Sequence, residues 1–190
     1  MRALAFIAAL LTAPAAYAEP VRYVLDSAHT QVAFSIERFG FNSVLGQFGQ
    51  VEGELVLDEA NPANSSVRAT IHTGSLQSGN ATRDEHLREP RWLNAPGFPT
   101  ITFESTAVRL ISETRAEVIG DLTLLGQTHP VTLDVTLNRI GPLPNNQRQA
   151  AGFSATGSFN RSLWGSTTGS GAIGDAVRFE IEALAIVPAQ

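Results

Sequence analysis

Arg83, Asp84, Glu85 and His86 stand in a row, and two carboxylates beside an imidazole can hold a metal, work as an acid/base pair, or lie along a wet helix face. A metal needs ligands that converge, whereas consecutive helical residues point about 100° apart, so Asp84, Glu85 and His86 do not meet on one ion. The four histidines, His29, His72, His86 and His129, are spread along the chain without the His-x-x-x-His spacing that places two ligands on one face. No metal and no other cofactor is therefore expected. His29 and His129 fall at turn positions, where backbone hydrogen bonds are expected to satisfy them, and His72 extends a strand on the polar side of Ile71. A hydrolase or metal-dependent enzyme acting on a lipid head group through Asp84 and His86 stays as the alternative reading.

Two other motifs invite a chemical reading. Gly169-x-Gly171-x-x-Gly174 fits the dinucleotide fingerprint letter for letter, but the fingerprint works only between a strand and a helix, where the helix N-terminus meets pyrophosphate. Residues 176–187 alternate like a strand, so the glycines are expected to form a wide turn. The sequence holds neither lysine nor cysteine, which excludes a phosphate-binding P-loop and a thiol nucleophile. No Gly-x-Ser-x-Gly elbow is present.

The elements that would carry these residues alternate with period two, the signature of half-buried strands. Val32, Phe34 and Ile36 alternate with polar neighbours, as do Val67, Ala69 and Ile71, then Val131 to Leu137, then Val177 to Ala183. Asn61-Pro62, Gly126-Gln127, the segment 142–146 and the glycine-rich 165–175 mark turns. The spacing predicts an all-β fold, an antiparallel barrel or sandwich of about eight strands. Residues 80–94 break the alternation: Asn80 suits a helix N-cap, and Pro90, Pro96 and Pro99 forbid a long helix. Arg83 to Leu87 is thus expected to be a short helical insertion, with Asp84, Glu85, Arg88 and Glu89 facing water or making local pairs.

Residues 1–18, MRALAFIAALLTAPAAYA, carry one charge, a short apolar run and a small-residue end, the pattern of a cleaved export signal. The run is too short to span a bilayer, which takes ~20 apolar residues. Without Arg2 the exported chain keeps 12 of the 13 basic residues against 18 acidic ones, a balance that disfavours nucleic acid as partner. The remaining chain, 19–190, is expected to form one domain, in the periplasm if exported from a bacterium.

Ten phenylalanines and two tryptophans recur largely on the alternating face. They give either an ordinary core or an eight-stranded barrel with room for one apolar ligand. Here the sequence resembles the YceI family, exported lipocalin-like barrels that bind polyisoprenoids. The resemblance rests on Tyr23-x-Leu25-Asp26-x-x-His29-Thr30-x-Val32-x-Phe34-x-Ile36, Gly46-x-Phe48, Arg83-Asp84-x-His86-Leu87, Phe98-Pro99-x-Ile101-x-Phe103-x-Ser105, Gly120-x-Leu122-Thr123-Leu124-x-Gly126 and Gly157-x-Phe159-Asn160-Arg161-Ser162. The family pattern usually has histidine where Arg38 stands and phenylalanine where Trp92 stands.

The resemblance implies an eight-stranded antiparallel barrel with the helical insertion at one end. Its apolar pocket would be lined by Phe34, Ile36, Phe39, Phe48, Leu55, Ile71, Leu87, Trp92, Phe98, Phe103, Leu122, Leu124, Phe153, Phe159 and Phe179. Arg38, Arg83, His86 and Arg161 would be the head-group contacts, for a guanidinium suits phosphate or quinone oxygens. His86 is otherwise expected to serve as a structural hydrogen-bonder. Burying a prenyl chain contributes ~0.8 kcal/mol per carbon against an association cost of ~4–15 kcal/mol, so long chains are favoured over short ones. The implied function is a carrier that sequesters a long-chain isoprenoid of quinone or prenyl phosphate type and is not an enzyme. A homodimer is compatible with the sequence, and an exported β protein without ligand is a weaker third reading.

Overall fold

The computed structural model describes residues 19–189; the expected export segment 1–18 lies outside them. The alternating runs form eleven strand segments and one short helix: β1 (Val21–Leu25), β2 (Gln31–Arg38), β3 (Asn42–Phe48), β4 (Val51–Leu57), β5 (Ser66–His72), β6 (Leu76–Gln77), α1 (Ala81–Arg88), β7 (Thr100–Leu110), β8 (Arg115–Leu124), β9 (Gln127–Pro142), β10 (Gln149–Asn160) and β11 (Ile173–Ile186).

The eleven segments make a barrel of eight staves, because three staves are broken. β1 pairs with β4 while β2 pairs with β3, so β1–β2 and β3–β4 are two long staves interrupted at 26–30 and 49–50. β5 and β6 form the third, since β5 lies along β4 and β6 along β3. β7 to β11 follow as antiparallel neighbours. β11 then closes the ring by pairing with both β2, Phe179 opposite Phe34, and β1, Ala185 opposite Leu25. Full closure leaves no long free edge.

The breaks have local causes. Between β1 and β2, Asp26 accepts the Ala28 N–H at 3.0 Å and meets His29 Nδ1 at 2.8 Å, an Asx turn that takes backbone groups out of the ladder. A 3-10 turn at Thr73–Ser75 separates β5 from β6. The glycine fingerprint is a turn: Gly169 and Gly171 have φ of 69° and 89°, and β11 follows directly, as the alternation predicts.

The helical insertion begins where expected. Asn80 Oδ1 accepts the Arg83 N–H at 3.0 Å, capping α1, and the segment after α1 crosses the barrel end. Thr168 Oγ1 donates to the Arg91 carbonyl at 2.5 Å, fixing this crossing to the 165–172 loop on the far side. Of the charged residues on and beside α1 expected to face water or make local pairs, Glu85 is exposed and Glu89 pairs with Arg91 at 2.9 Å, whereas Asp84 and Arg88 are drawn into the packing. Asp84 is buried and accepts the Ser78 N–H at 2.8 Å together with the Ser78 hydroxyl. Arg88 donates to the Leu76 carbonyl at 2.5 Å. A short helix has little apolar surface of its own, and its polar groups hold it to β6. No helix among the described residues is long and apolar enough to cross a membrane.

Candidate functional site

Each stave turns its apolar positions inward, and the interior is not filled. A cavity of about 1110 Å3 runs along the barrel, somewhat above the ~300–1,000 Å3 typical of small-molecule pockets. The four alternating runs recognised in the sequence, 32–36, 67–71, 131–137 and 177–183, all supply lining residues.

Thirteen of the fifteen expected pocket residues line this cavity. Phe34, Ile36, Phe48, Leu55, Ile71, Phe103, Leu122, Leu124, Phe153, Phe159 and Phe179 come from the strands, Leu87 from α1 and Trp92 from the crossing segment. The other two are corrections. Phe39 occupies the β2–β3 turn at φ 55° and is 51% exposed; the left-handed turn carries it off the inward face. Phe98 lies outside the lining, packed against Gly126 in the β8–β9 turn, where an added Cβ would sit 2.8 Å from its ring.

Three aromatic rings lie against the barrel wall because a strand nearby has no side chain at the matching point. Phe34 is directly opposite Gly46, and Phe179 directly opposite Gly157. A Cβ placed on Gly46, Gly120 or Gly157 would fall inside contact distance of the ring of Phe34, Phe103 or Phe179, respectively. The rings thereby cover backbone instead of crossing the lumen. This is one physical reason an aromatic-rich barrel keeps an interior space.

The floor beside the lumen is built by a residue outside the expected set. Trp164 is 1% exposed, donates Nε1–H to the Leu122 carbonyl at 3.0 Å, and meets His129 and Phe159 edge-on at 4.9 Å between centroids. His129 is thus an aromatic neighbour, and its expected backbone hydrogen bond is replaced by this contact. His29 is held by Asp26, and His72 Nε2 lies 3.4 Å from Glu52.

The polar candidates separate by role. Arg161 is buried, and its guanidinium donates to the carbonyls of Gly174 at 2.9 Å, Ser166 at 2.7 Å and Ile173 at 3.2 Å. Those bonds tie the 161–174 loop and engage all three nitrogens of the fork, so Arg161 has a structural role there although it also borders the cavity. Arg83 spends Nε and one terminal nitrogen on Ser78 yet still lines the cavity, as do Arg38 and His86. His86 makes no side-chain hydrogen bond among the described residues, which corrects its expected structural role; Asp84, two positions earlier, performs it. Arg91, missed in the sequence because it follows Pro90 outside the helix pattern, also lines this end. Asp84 and His86 are not brought together as an acid/base pair, since one is tied to Ser78 and the other faces the cavity mouth. Among the described residues no group of three or more metal-ligating side chains occurs.

Asp175 shows how a carboxylate secures the loop beside this mouth. It accepts the Ser162 hydroxyl at 2.8 Å and the Ser162 N–H at 2.9 Å, which hold it below its ordinary value of 3.8. A lowered folded-state value stabilises the fold above the ordinary value, and this contribution is lost as pH falls through the lower one. The stability difference between the natural protein and Asp175→Asn, measured by urea unfolding, is therefore expected to shrink from neutral pH to about pH 3.

A closed antiparallel barrel with an apolar lumen, a capping helix and polar groups at its mouths defines the lipocalin-like class of cavity barrels. The chain belongs to the YceI-like family, whose YceI-like domain matches residues 23–185. A UPF0312 protein of Enterobacter sp. (strain 638) is 37% identical over 162 residues, covering 85% of this chain and 83% of that protein. BcnA of Burkholderia cenocepacia shares the fold with a TM-score of 0.76 at 22% identity, covering 84% of this chain and 98% of that one. A polyisoprenoid binding domain from Saccharophagus degradans superposes with a TM-score of 0.67 at 13% identity, over 87% and 98% of the two chains.

Proposed function

We propose that this protein is an exported carrier that holds one long isoprenoid chain in its barrel, with the head group at the mouth beside α1, and that it performs no catalysis. The observation that carries this reading is the lengthwise apolar cavity of about 1110 Å3 ending at the arginine-bearing rim. An extended alkyl or prenyl chain fits a lumen that is continuous from end to end and offers few polar partners inside. The binding named for the Saccharophagus degradans domain supports the same ligand class. Arg38, Arg83 and Arg91 favour a head with phosphate or quinone oxygens, and His86 adds a further polar group. The periplasm is the proposed location, on the strength of the export-like pattern in residues 1–18.

Organic extraction and native mass spectrometry of the purified protein test this. A co-purifying long-chain lipid is expected, and the emptied protein should take up prenols with affinity that rises with chain length. A barrel that copurifies with no lipid and binds no prenol of any length would overturn the reading. Uptake independent of length would remove the lumen as the binding surface.

A further inference from the structure

The two ends of the barrel differ in charge and in the apolar side chains they expose, four with two aromatic rings at the α1 end against Leu110 and Ile111 at the other. At the end opposite α1 the cavity lining includes Glu59 and Glu113 beside Arg115; at the α1 end its charged members are Arg38, Arg83, Arg91 and Arg161, with His86. The acids nearby are turned inward or paired. Glu37 accepts the Gly40 N–H, Asp84 holds Ser78, Glu89 pairs with Arg91 at 2.9 Å, and Asp175 holds Ser162. Glu85 is exposed on the outer side of α1.

The same end carries large apolar side chains in water. Phe41 at the tip of the β2–β3 hairpin is 91% exposed, Leu45 on the outer face of β3 is 67% exposed, and Phe39 is 51% exposed. Leu163 is 56% exposed on the turn before β11, whose Ile173 lies opposite Arg38 in the ladder. The Arg38 guanidinium sits 4.5 Å over the Phe39 ring, so cation and aromatic face are presented together. Aromatic and leucine tips beside the Arg38 guanidinium match the depth profile of an anionic bilayer, with apolar groups at the acyl boundary and guanidinium at phosphate level.

We infer that the α1 end of the barrel is a membrane-docking surface, which seats the cavity mouth on an anionic lipid bilayer through Phe39, Phe41, Leu45 and Leu163 with Arg38. The inference rests on the lumen being a lipid site, since a mouth in contact with a bilayer lets a prenyl chain pass into the barrel without crossing water. Crossing water exposes the whole chain, and contact avoids that step.

The test is co-sedimentation of the purified protein with vesicles of equal phosphatidylcholine and phosphatidylglycerol, against pure phosphatidylcholine. Binding is expected to the mixed vesicles, to weaken with salt, and to fall about tenfold in Phe41→Asp and in Arg38→Glu, while Ile111→Asp at the opposite end leaves it unchanged. Should Phe41→Asp disturb the hairpin, the pair Phe41→Ser and Leu163→Ser reads the same surface. Prenol uptake from aqueous solution by Phe41→Asp is expected to stay normal while uptake from vesicles slows. Absence of vesicle binding in a protein that takes up prenol overturns docking and leaves the carrier reading standing. Equal loss in Ile111→Asp overturns it too, as does a dimer in gel filtration that Phe41→Asp dissolves and that ignores vesicles.

Discussion

Gly157→Ala is expected to reduce the capacity of the barrel for a long prenyl chain by about tenfold or more, although it adds a single methyl group on a strand. The new Cβ would lie 2.9 Å from Phe179 Cε2, with Cζ closer still, and 3.1 Å from the Thr132 carbonyl. Backbone holds one side, so the ring is the part that moves, and the space available to it is the lumen. A ring swung across the cavity blocks an extended chain that must pass it. Overpacking at such a site also costs about 1–3 kcal/mol of stability, which urea unfolding measures. The decisive comparison is Gly157→Ala with Phe179→Leu: removing the ring is expected to restore prenol capacity while keeping the extra methyl. Normal binding by Gly157→Ala, or no recovery in the double variant, would show that the ring does not guard the channel.

Trp164→Ala is expected to give the largest loss of stability among single side-chain truncations. Its indole is almost wholly buried, touches His129 and Phe159 and bonds the Leu122 carbonyl, so truncation leaves a void and an unmatched acceptor. Large-to-small changes of this kind cost about 3–5 kcal/mol. Trp164→Phe keeps most of the contacts and loses the donor alone, so about 1–3 kcal/mol is expected. Denaturant midpoints of the two variants separate packing from hydrogen bonding. Equal losses would mean that the Nε1–H bond, not the ring, anchors the 161–164 turn.

Much of the wall was legible because a strand with one face inward writes its geometry as strict alternation. Phe34 and Ile36, or Phe179 and Ile181, announce their side of the barrel two residues at a time. What alternation does not encode is where a strand stops obeying it. Phe39 reads as one more aromatic after Ile36, yet the chain turns at that point. Phe98 sits between Pro96 and Pro99 and packs sideways onto Gly126. Polar residues were less legible still, since their partners lie across turns and follow no period in the sequence. Arg161 donates to the carbonyls of residues 166, 173 and 174, and Asp84 accepts from the Ser78 N–H and hydroxyl. The Leu163–Trp164 pair gives no hint of order either, for neighbouring apolar residues in a 3-10 turn face opposite ways, Trp164 into the core and Leu163 out. Gly46 and Gly157 would have been found by asking which strand glycine stands opposite which phenylalanine, but that requires the register.

The ring closes by joining its beginning to its end: β11 is the partner of both β1 and β2. Residues 24 and 25 therefore wait for residues 185 and 186, a separation close to the length of the described chain. Such high contact order slows folding to the millisecond-to-second range. The first stave can meet β3 and β4 early, but its second neighbour is the last strand, so a ribosome must release nearly the whole sequence before the ring closes. During synthesis the growing chain thus has no closed barrel to form. Topology itself postpones closure of the barrel until the last strand arrives.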